Sequence, residues 1–358
     1  MDYDQFKQDD GSYHFPPGIY FGVPEEAYHA DKSLGSSRVK AIAVDPIEAQ
    51  FDTLHGEDKD SDALTFGSAL HARVLEGRQA FLDRFTMGFD KSQYPDALVT
   101  TEDLKKCLTS YGQSGLSGKK KEDLIKLLRD IDRDVPIMDE LKANWESSNA
   151  GKSVLSPRRW SQIDLASQWI QRDPLLSAVM EDGTFIEGAP EVSIFYEDRG
   201  VRLKCRYDRL LRHAIVDVKT FAGIYGGKVV NIAIKAINRM RYDIQAADYL
   251  RGWHRAKALH ADGLVFGDEP YDGFLEECFD RDEPAWIWVM VKSTGAPQPL
   301  VIDWRATFAK AKAADDVEVA LDSYIALRDA FGAAEDWVPM HPPVTLTDDM
   351  LPAFFGRD

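Results

Sequence analysis

VRLKCRYDRLLRHAIVDVKT, residues 201–220, is the stretch on which the fold turns. Apolar and charged residues alternate through VRLKCRYDRLL, and HAIVDVKTF (213–221) continues as a largely apolar run after a short turn, so the two read as adjacent strands. Their charges are unusual. Across 199–212, Arg199, Arg202, Lys204, Arg206, Arg209 and Arg212 stand against Asp208 alone, a local balance of +5 in a chain whose formal charge is −17. Asp217 and Lys219 then interrupt an otherwise apolar frame.

Side chains two apart in a strand share a face, so Asp217 and Lys219 belong together. Asp208 lies nine residues before Asp217, and a hairpin can set the two side by side. Paired carboxylates repel and cost stability unless a cation sits between them. Oxygen ligands of this kind suit Mg²⁺ or Mn²⁺. A lysine is a poor addition to a purely structural cage, whereas beside an attacking water it orients that water and steadies charge on a phosphorane-like transition state. Asp-x-Lys by itself is common, and each acid taken alone reads as an exposed strand end.

Outward from this core, TFIEGAPEVSIFYE (184–197) reads as a third strand, AWIWVMVKS (285–293) and PQPLVIDW (297–304) as two more, and FPPGIYFGV (15–23) as a strand start. SLGSSRVKAIAVDPIEAQFDTL (33–54) has helical spacing with Ser36 or Ser37 as cap and a break at Asp45-Pro46. LTFGSALHARVLEG (64–77) is a helix closed by Gly77, after a polar loop at 56–63. The spacing predicts one long helix over 228–260 and an amphipathic helix over 305–331; the tail 336–358 is Pro-rich and irregular. Residues 98–131 differ in character: two short amphipathic helices flank a Gly/Ser loop, as an inserted module would. The order helix, β-meander, helix, strand, helix predicts an α/β fold with one central mixed sheet flanked by helices.

Taken in order, Glu191, Asp208 and Asp217-Val218-Lys219 resemble the PD-(D/E)xK (restriction-endonuclease-like) nuclease core. Gln245-Ala-Ala-Asp-Tyr249 is similar to the QxxxY helix of its lambda-exonuclease and RecB-like branches, and Gly67-Ser-Ala-Leu-His71 to the GxxxH helix of RecB-type members. The fuller series, from YHADKSLGSSRVKAI through TFGSALHARVLEG, GAPEVSIFYEDRGVRLKCRYDRL and IVDVKT to YDIQAADYLRGW, resembles the exodeoxyribonuclease VIII-like exonucleases of phages and prophages. The resemblance implies that His71, Asp208, Asp217 and the Val218 carbonyl bind the metal, that Lys219 positions or activates the attacking water, and that Glu191 is the outlying acid of the core. It implies that Gln245 and Tyr249 contact the DNA backbone or brace the lysine, and that Ser36, Ser37 and Arg38 meet a terminal phosphate at a helix N-terminus. Arg206, with Arg202 and Lys204, is expected to face DNA phosphates. The segment 98–134 resembles a SAP-type helix–loop–helix, which implies that Lys119, Lys120 and Lys121 lie against DNA. The nuclease domain is then split into 1–97 and 135–358 around that insert.

Composition is compatible with this reading. Apolar content of 44% and charged content of 29% are ordinary for a globular chain, no apolar run is long enough to span a bilayer, and the start MDYDQFKQDDGSYHF lacks secretory features. Cys107, Cys205 and Cys278 are scattered, which argues against a disulfide framework, a zinc site or an iron–sulfur cluster, and a cytoplasmic setting is expected. No GxxxxGK[ST] motif is present, so an ATP-driven helicase is not expected. The function expected is a Mg²⁺- or Mn²⁺-dependent exonuclease that digests double-stranded DNA ends 5′→3′, leaving 3′ overhangs. The relatives imply a homo-oligomer and a single-strand annealing recombinase as partner. Two other readings stay open: a structure-specific or restriction-like endonuclease on the same core, and a non-enzymatic acidic protein that binds or mimics DNA.

Overall fold

The computed structural model describes residues 1–56, 62–223, 227–339, 346–347 and 350. Most of the polar loop expected at 56–63, and most of the tail beyond 339, lie outside the described residues. Contacts divide the chain into two units, one made of 1–61 with 186–358 and the other of 62–185.

The first unit is built on an eight-stranded mixed sheet. Its strands are β1 (Gly18–Tyr20), β2 (Leu34–Gly35), β3 (Ala189–Asp198), β4 (Val201–Leu211), β5 (Ala214–Phe221), β6 (Val265–Phe266), β7 (Ala285–Lys292) and β8 (Pro299–Asp303). They run in the order β6-β1-β3-β4-β5-β7-β8, with β2 added to β4. The meander β3-β4-β5 is antiparallel, β7 joins β5 in parallel, and β8 returns antiparallel. The labelled helices are α1 (Ser36–Val44), α2 (Pro46–His55), α3 (Val229–Met240), α4 (Tyr242–Ala261) and α5 (Thr307–Phe331). Asp45 caps α2 by accepting from the Ile47 and Glu48 N–H groups, ahead of Pro46 at the first helical position.

Helix α4 packs across one face of the sheet, where Trp253, Trp286, Trp288, Cys205 and Tyr207 form the main core with residues of α1 and α5. Gly252 permits that approach: a Cβ there would stand 2.4 Å from Cys205 Sγ. Aromatic residues cover part of the opposite face, Phe15 stacking on Phe195 at 4.6 Å and Tyr20 on Phe266 at 4.5 Å.

Two expectations are corrected here. The helix expected over 228–260 is interrupted at Arg241, whose backbone is left-handed at φ +50°, ending α3 and starting α4. Ion pairs to Asp243 at 3.1 Å and Asp316 at 2.5 Å hold it there. The basic row of β4, expected to face phosphates, is turned inward. Lys204 Nζ donates to the carbonyls of Tyr28 and Asp31, both at 2.6 Å, and burial holds its pKa down to about 8. Arg206 donates to Ser193 Oγ and the Val23 carbonyl, both at 2.9 Å, with its guanidinium 4.1 Å from the Tyr28 ring centre. Arg202 donates to the Phe15 carbonyl at 3.0 Å. The strand alternates as the sequence suggests, but residues 15–31 cover its charged side and supply the acceptors.

In the second unit, helix Asp62–His71 passes directly into a π-helical turn, Ala72–Glu76, closed by Gly77 at φ +102°. Phe66, Phe81, Phe85 and Ile163 form one core of this unit. The helical pair Thr101–Ser110 and Lys121–Ile131 has a separate core of Leu104, Leu108, Leu116, Leu124, Leu128 and Ile137. Thr100 and Asp103 form a capping box at the first of these helices. Entry and exit of this segment are tied together, Leu98 donating to the Pro136 carbonyl at 2.8 Å and accepting from Met138 N–H at 3.0 Å.

Candidate active site

The register of the meander brings three acids to one level. Pro190 pairs with Arg209 and Val192 with Tyr207, which sets Glu191 opposite Asp208. The β4–β5 ladder runs from Leu211–Ala214 to Arg209–Val216 and stops. One further step would pair Asp208 with Asp217; instead the Asp208 carboxylate accepts the Val218 N–H at 2.7 Å.

Alternation also slips at this level. On β4, Leu203, Cys205 and Tyr207 enter the main core, and next Leu210; on β3, Val192, Ile194 and Tyr196 do, together with Ala189 before them. Both strands therefore change parity around Glu191 and Asp208. The slip on β3 coincides with a left-handed backbone at Glu191, φ +51°, a conformation that costs a non-glycine residue on the order of 1 kcal/mol or more. Such irregularities re-aim side chains at sheet sites. A carboxylate oxygen of Glu191 comes within 4.8 Å of one of Asp208. Arg206 Nη1 stands 3.6 Å from the Glu191 carboxylate, a buried cation fixed by its other donors.

On β5, Asp217 and Lys219 share a side, as expected from their spacing. Lys219 Nζ donates to Asp217 Oδ1 at 2.6 Å, and Gln245 of α4 donates to the same oxygen at 3.3 Å. Asp217 is 1% exposed. Burial opposes the charge on Lys219, but the Asp217 and Asp208 carboxylates outweigh it and raise its pKa. The Tyr242 ring lies 5.6 Å from the Lys219 ammonium.

Gln245 thus reaches the aspartate rather than the lysine. Tyr249, one turn on, is buried: its ring packs against Tyr207 and Trp286, both at 5.8 Å, and its carbonyl accepts the Tyr207 hydroxyl. Ser36 is buried and Ser37 exposed at the start of α1. Arg38 is occupied elsewhere, donating to Gln50 Oε1 with its guanidinium 5.6 Å from the Tyr324 ring. Val218 is buried, and its N–H is the donor to Asp208. His71 closes the helix Asp62–His71 of the second unit and is half-buried. Lys119 and Lys120 are exposed in the loop before Lys121–Ile131, while Lys121 pairs with Asp139 at 2.6 Å. Lys40, outside the motifs of the sequence, lies on α1 four residues after Ser36 and 5.2 Å from the Tyr242 ring. The helical spacing from Ser36 is the signal that could have found it.

A mixed sheet whose adjacent strands carry Glu191, Asp208 and Asp-x-Lys defines the PD-(D/E)xK nuclease core. The chain belongs to the family described as the PDDEXK-like domain of unknown function (DUF3799), whose model matches residues 36–258. Among solved structures, the chain is similar to one from Eubacterium rectale described as a "Putative exonuclease", with 15% identity, a TM-score of 0.45, and coverage of 91% of this chain and 97% of that one. No curated protein matches the chain. Among the described residues, no helix is long and apolar enough to cross a membrane.

The residues present suit a hard divalent cation. Carboxylates brought as close as those of Glu191 and Asp208 are favoured only when positive charge lies between them, and carboxylate oxygens are the ligands such a cation takes.

Proposed function

We propose that this chain is a metal-dependent deoxyribonuclease that digests linear duplex DNA from its ends, 5′→3′, and leaves 3′ single-stranded overhangs. The observation that carries the proposal is the Asp217–Lys219 pair set across from Asp208, one step past the end of the β4–β5 ladder, with Glu191 opposite Asp208 on β3. Mg²⁺ or Mn²⁺ would be held by Asp208, Asp217, the Val218 carbonyl and, following the motif order, His71, with Glu191 as the outlying acid. When bound, such an ion polarises the phosphodiester and acidifies water. Lys219 supplies a fixed ammonium for orienting the attacking water and balancing charge on the phosphorus oxygens. Asp217 and Gln245 fix where that ammonium sits, through contacts of 2.6 Å to Lys219 and 3.3 Å between themselves. Arg206 fixes Glu191 from behind. Cleavage by in-line attack of water leaves a 5′-phosphate. A homo-oligomer and an annealing recombinase that takes up the 3′ strand belong to the same proposal.

End-labelled linear duplex and closed circular duplex, each with Mg²⁺ and then with EDTA, test it. Expected are label release from the linear form with Mg²⁺ alone and an intact circle. Cleavage of the circle would turn the reading to an endonuclease, and an intact linear substrate would remove the enzyme.

The segment 98–134 is proposed to add sequence-independent duplex affinity through Lys119 and Lys120, with Lys121 near them. Replacing Lys119 and Lys120 by alanine is expected to lower the salt slope of duplex binding by about 2, roughly 0.9 for each lost phosphate contact, while the rate at saturating DNA holds. An unchanged slope would show that the segment does not touch DNA.

A further inference from the structure

The active-site face holds a second cation, Lys40, that has no ion pair among the described residues. Lys40 projects from α1 and is half-buried. Its ammonium lies 5.2 Å from the centre of the Tyr242 ring, and the Lys219 ammonium lies 5.6 Å from the same ring. Among the described residues, Lys40 makes no hydrogen bond or ion pair, and its ammonium lies over the Tyr242 ring. The carboxylates nearest this region are engaged elsewhere. Asp217 accepts from Lys219, and Asp243 is bound to Arg241 at 3.1 Å. Burial and then the nearby Lys219 lower the Lys40 pKa, against the opposing pull of Asp217 and Asp243. Two ammonium groups gathered at one aromatic ring, one of them without a bonded carboxylate among the described residues, favour an anion beside them.

We propose that Lys40 is a substrate-positioning residue whose ammonium binds a DNA backbone phosphate adjacent to the one presented to Lys219. The role rests on the nuclease reading above. It differs from the terminal-phosphate role expected for Arg38, whose guanidinium is committed to Gln50 and Tyr324. From Lys40, a phosphate contact would fix the register of the strand along the sheet while leaving the acids free. The Tyr242 ring is the shared neighbour of the two ammonium groups, 5.2 Å from Lys40 and 5.6 Å from Lys219, which sets both cations beside the same stretch of bound strand.

Lys40→Met keeps the aliphatic stem on Tyr242 and removes the charge, and Lys40→Arg keeps the charge. Binding of a short linear duplex to the full chain, followed by fluorescence anisotropy in EDTA over a series of KCl concentrations, reads the contact without cleavage. The Met variant is expected to bind about tenfold more weakly, as loss of a charged hydrogen bond does, with a salt slope smaller by about one. The Arg variant is expected to restore both, and the thermal midpoints of both variants to stay at the parent value. Parental affinity and slope in the Met variant would overturn the proposal, as would an Arg variant no tighter than the Met one. If the parent binds and cleaves duplex while either overturning result is found, the Lys40 role alone falls. If the parent neither binds nor cleaves duplex, the nuclease reading falls and takes this role with it.

Discussion

Lys219→Met is expected to slow Mg²⁺-dependent duplex hydrolysis by about a thousandfold, the scale seen when one preorganised transition-state donor is removed, while duplex affinity changes far less. The reason lies in how firmly the ammonium is placed. Its side chain is only 15% exposed, and it is tied to Asp217 at 2.6 Å, so little reorganisation is needed when charge develops on phosphorus oxygens. Methionine matches the stem in length and packs beside Tyr242, which separates lost chemistry from lost packing. Lys219→Arg should recover little of the rate, because a planar fork cannot occupy the point position of an ammonium. At Asp217 the informative change is Asp217→Asn rather than Asp217→Ala, since truncation would deprive a buried lysine of its nearest counterion. Single-turnover hydrolysis and anisotropy in EDTA, run on the same samples, check the rate and the affinity. A Lys219→Met protein that hydrolyses duplex at the parental rate would remove the site from β5 altogether.

The parts of this site legible in the sequence are those fixed by local periodicity. Asp217 and Lys219 share a side because a strand repeats every two residues, and the short turn at 212–213 places β4 beside β5. What escaped depends on other segments. The alternation of Arg202, Lys204 and Arg206 is visible in the chain, but alternation says only that a row faces one way, not what covers it. Carbonyls from Phe15, Val23, Tyr28 and Asp31 do so, and these belong to a region with little regular spacing. The break at Arg241 was hidden for a similar reason. Apolar residues continue at helical spacing across it, while a left-handed arginine is retained by an ion pair to Asp316, 75 residues away. The left-handed φ of Glu191 had no residue signature, because glycine rather than glutamate marks that conformation in a sequence. Lys40 reads as one more charge on an amphipathic helix until α1 and α4 are brought together around Tyr242.

Asp248→Asn is expected to stabilise the protein at alkaline pH by several kcal/mol and to flatten its pH dependence. Asp248 lies on α4 between Gln245 and Tyr249, is 1% exposed, and among the described residues neither of its carboxylate oxygens has a hydrogen-bond partner. Burial pushes its pKa from 3.8 up to about 7. Between those values the folded protein retains a proton that the unfolded chain releases, so unfolding gains favour as pH rises. The stabilising contribution is therefore fully present below the unfolded pKa, falls through the intervening range, and is gone above the folded pKa of about 7. A difference near three pH units corresponds to roughly 4 kcal/mol, each unit being about 1.4 kcal/mol. Asparagine has the same shape as the protonated acid and nothing to ionise, so it removes that dependence. Tyr28, Tyr196 and Cys205 surround the carboxylate electrostatically, and burial raises the pKa of each, which leaves Asp248 as the group of this cluster that titrates near neutrality. Urea unfolding of both proteins at closely spaced pH values from about 4 to about 9 isolates the effect, because every other group contributes equally to both curves and cancels in their difference. That difference should be small at the acid end, widen in favour of the variant, and level off above neutrality. Parallel curves across the whole range would mean that Asp248 ionises as easily in the fold as out of it, and that its carboxylate is paired or solvated.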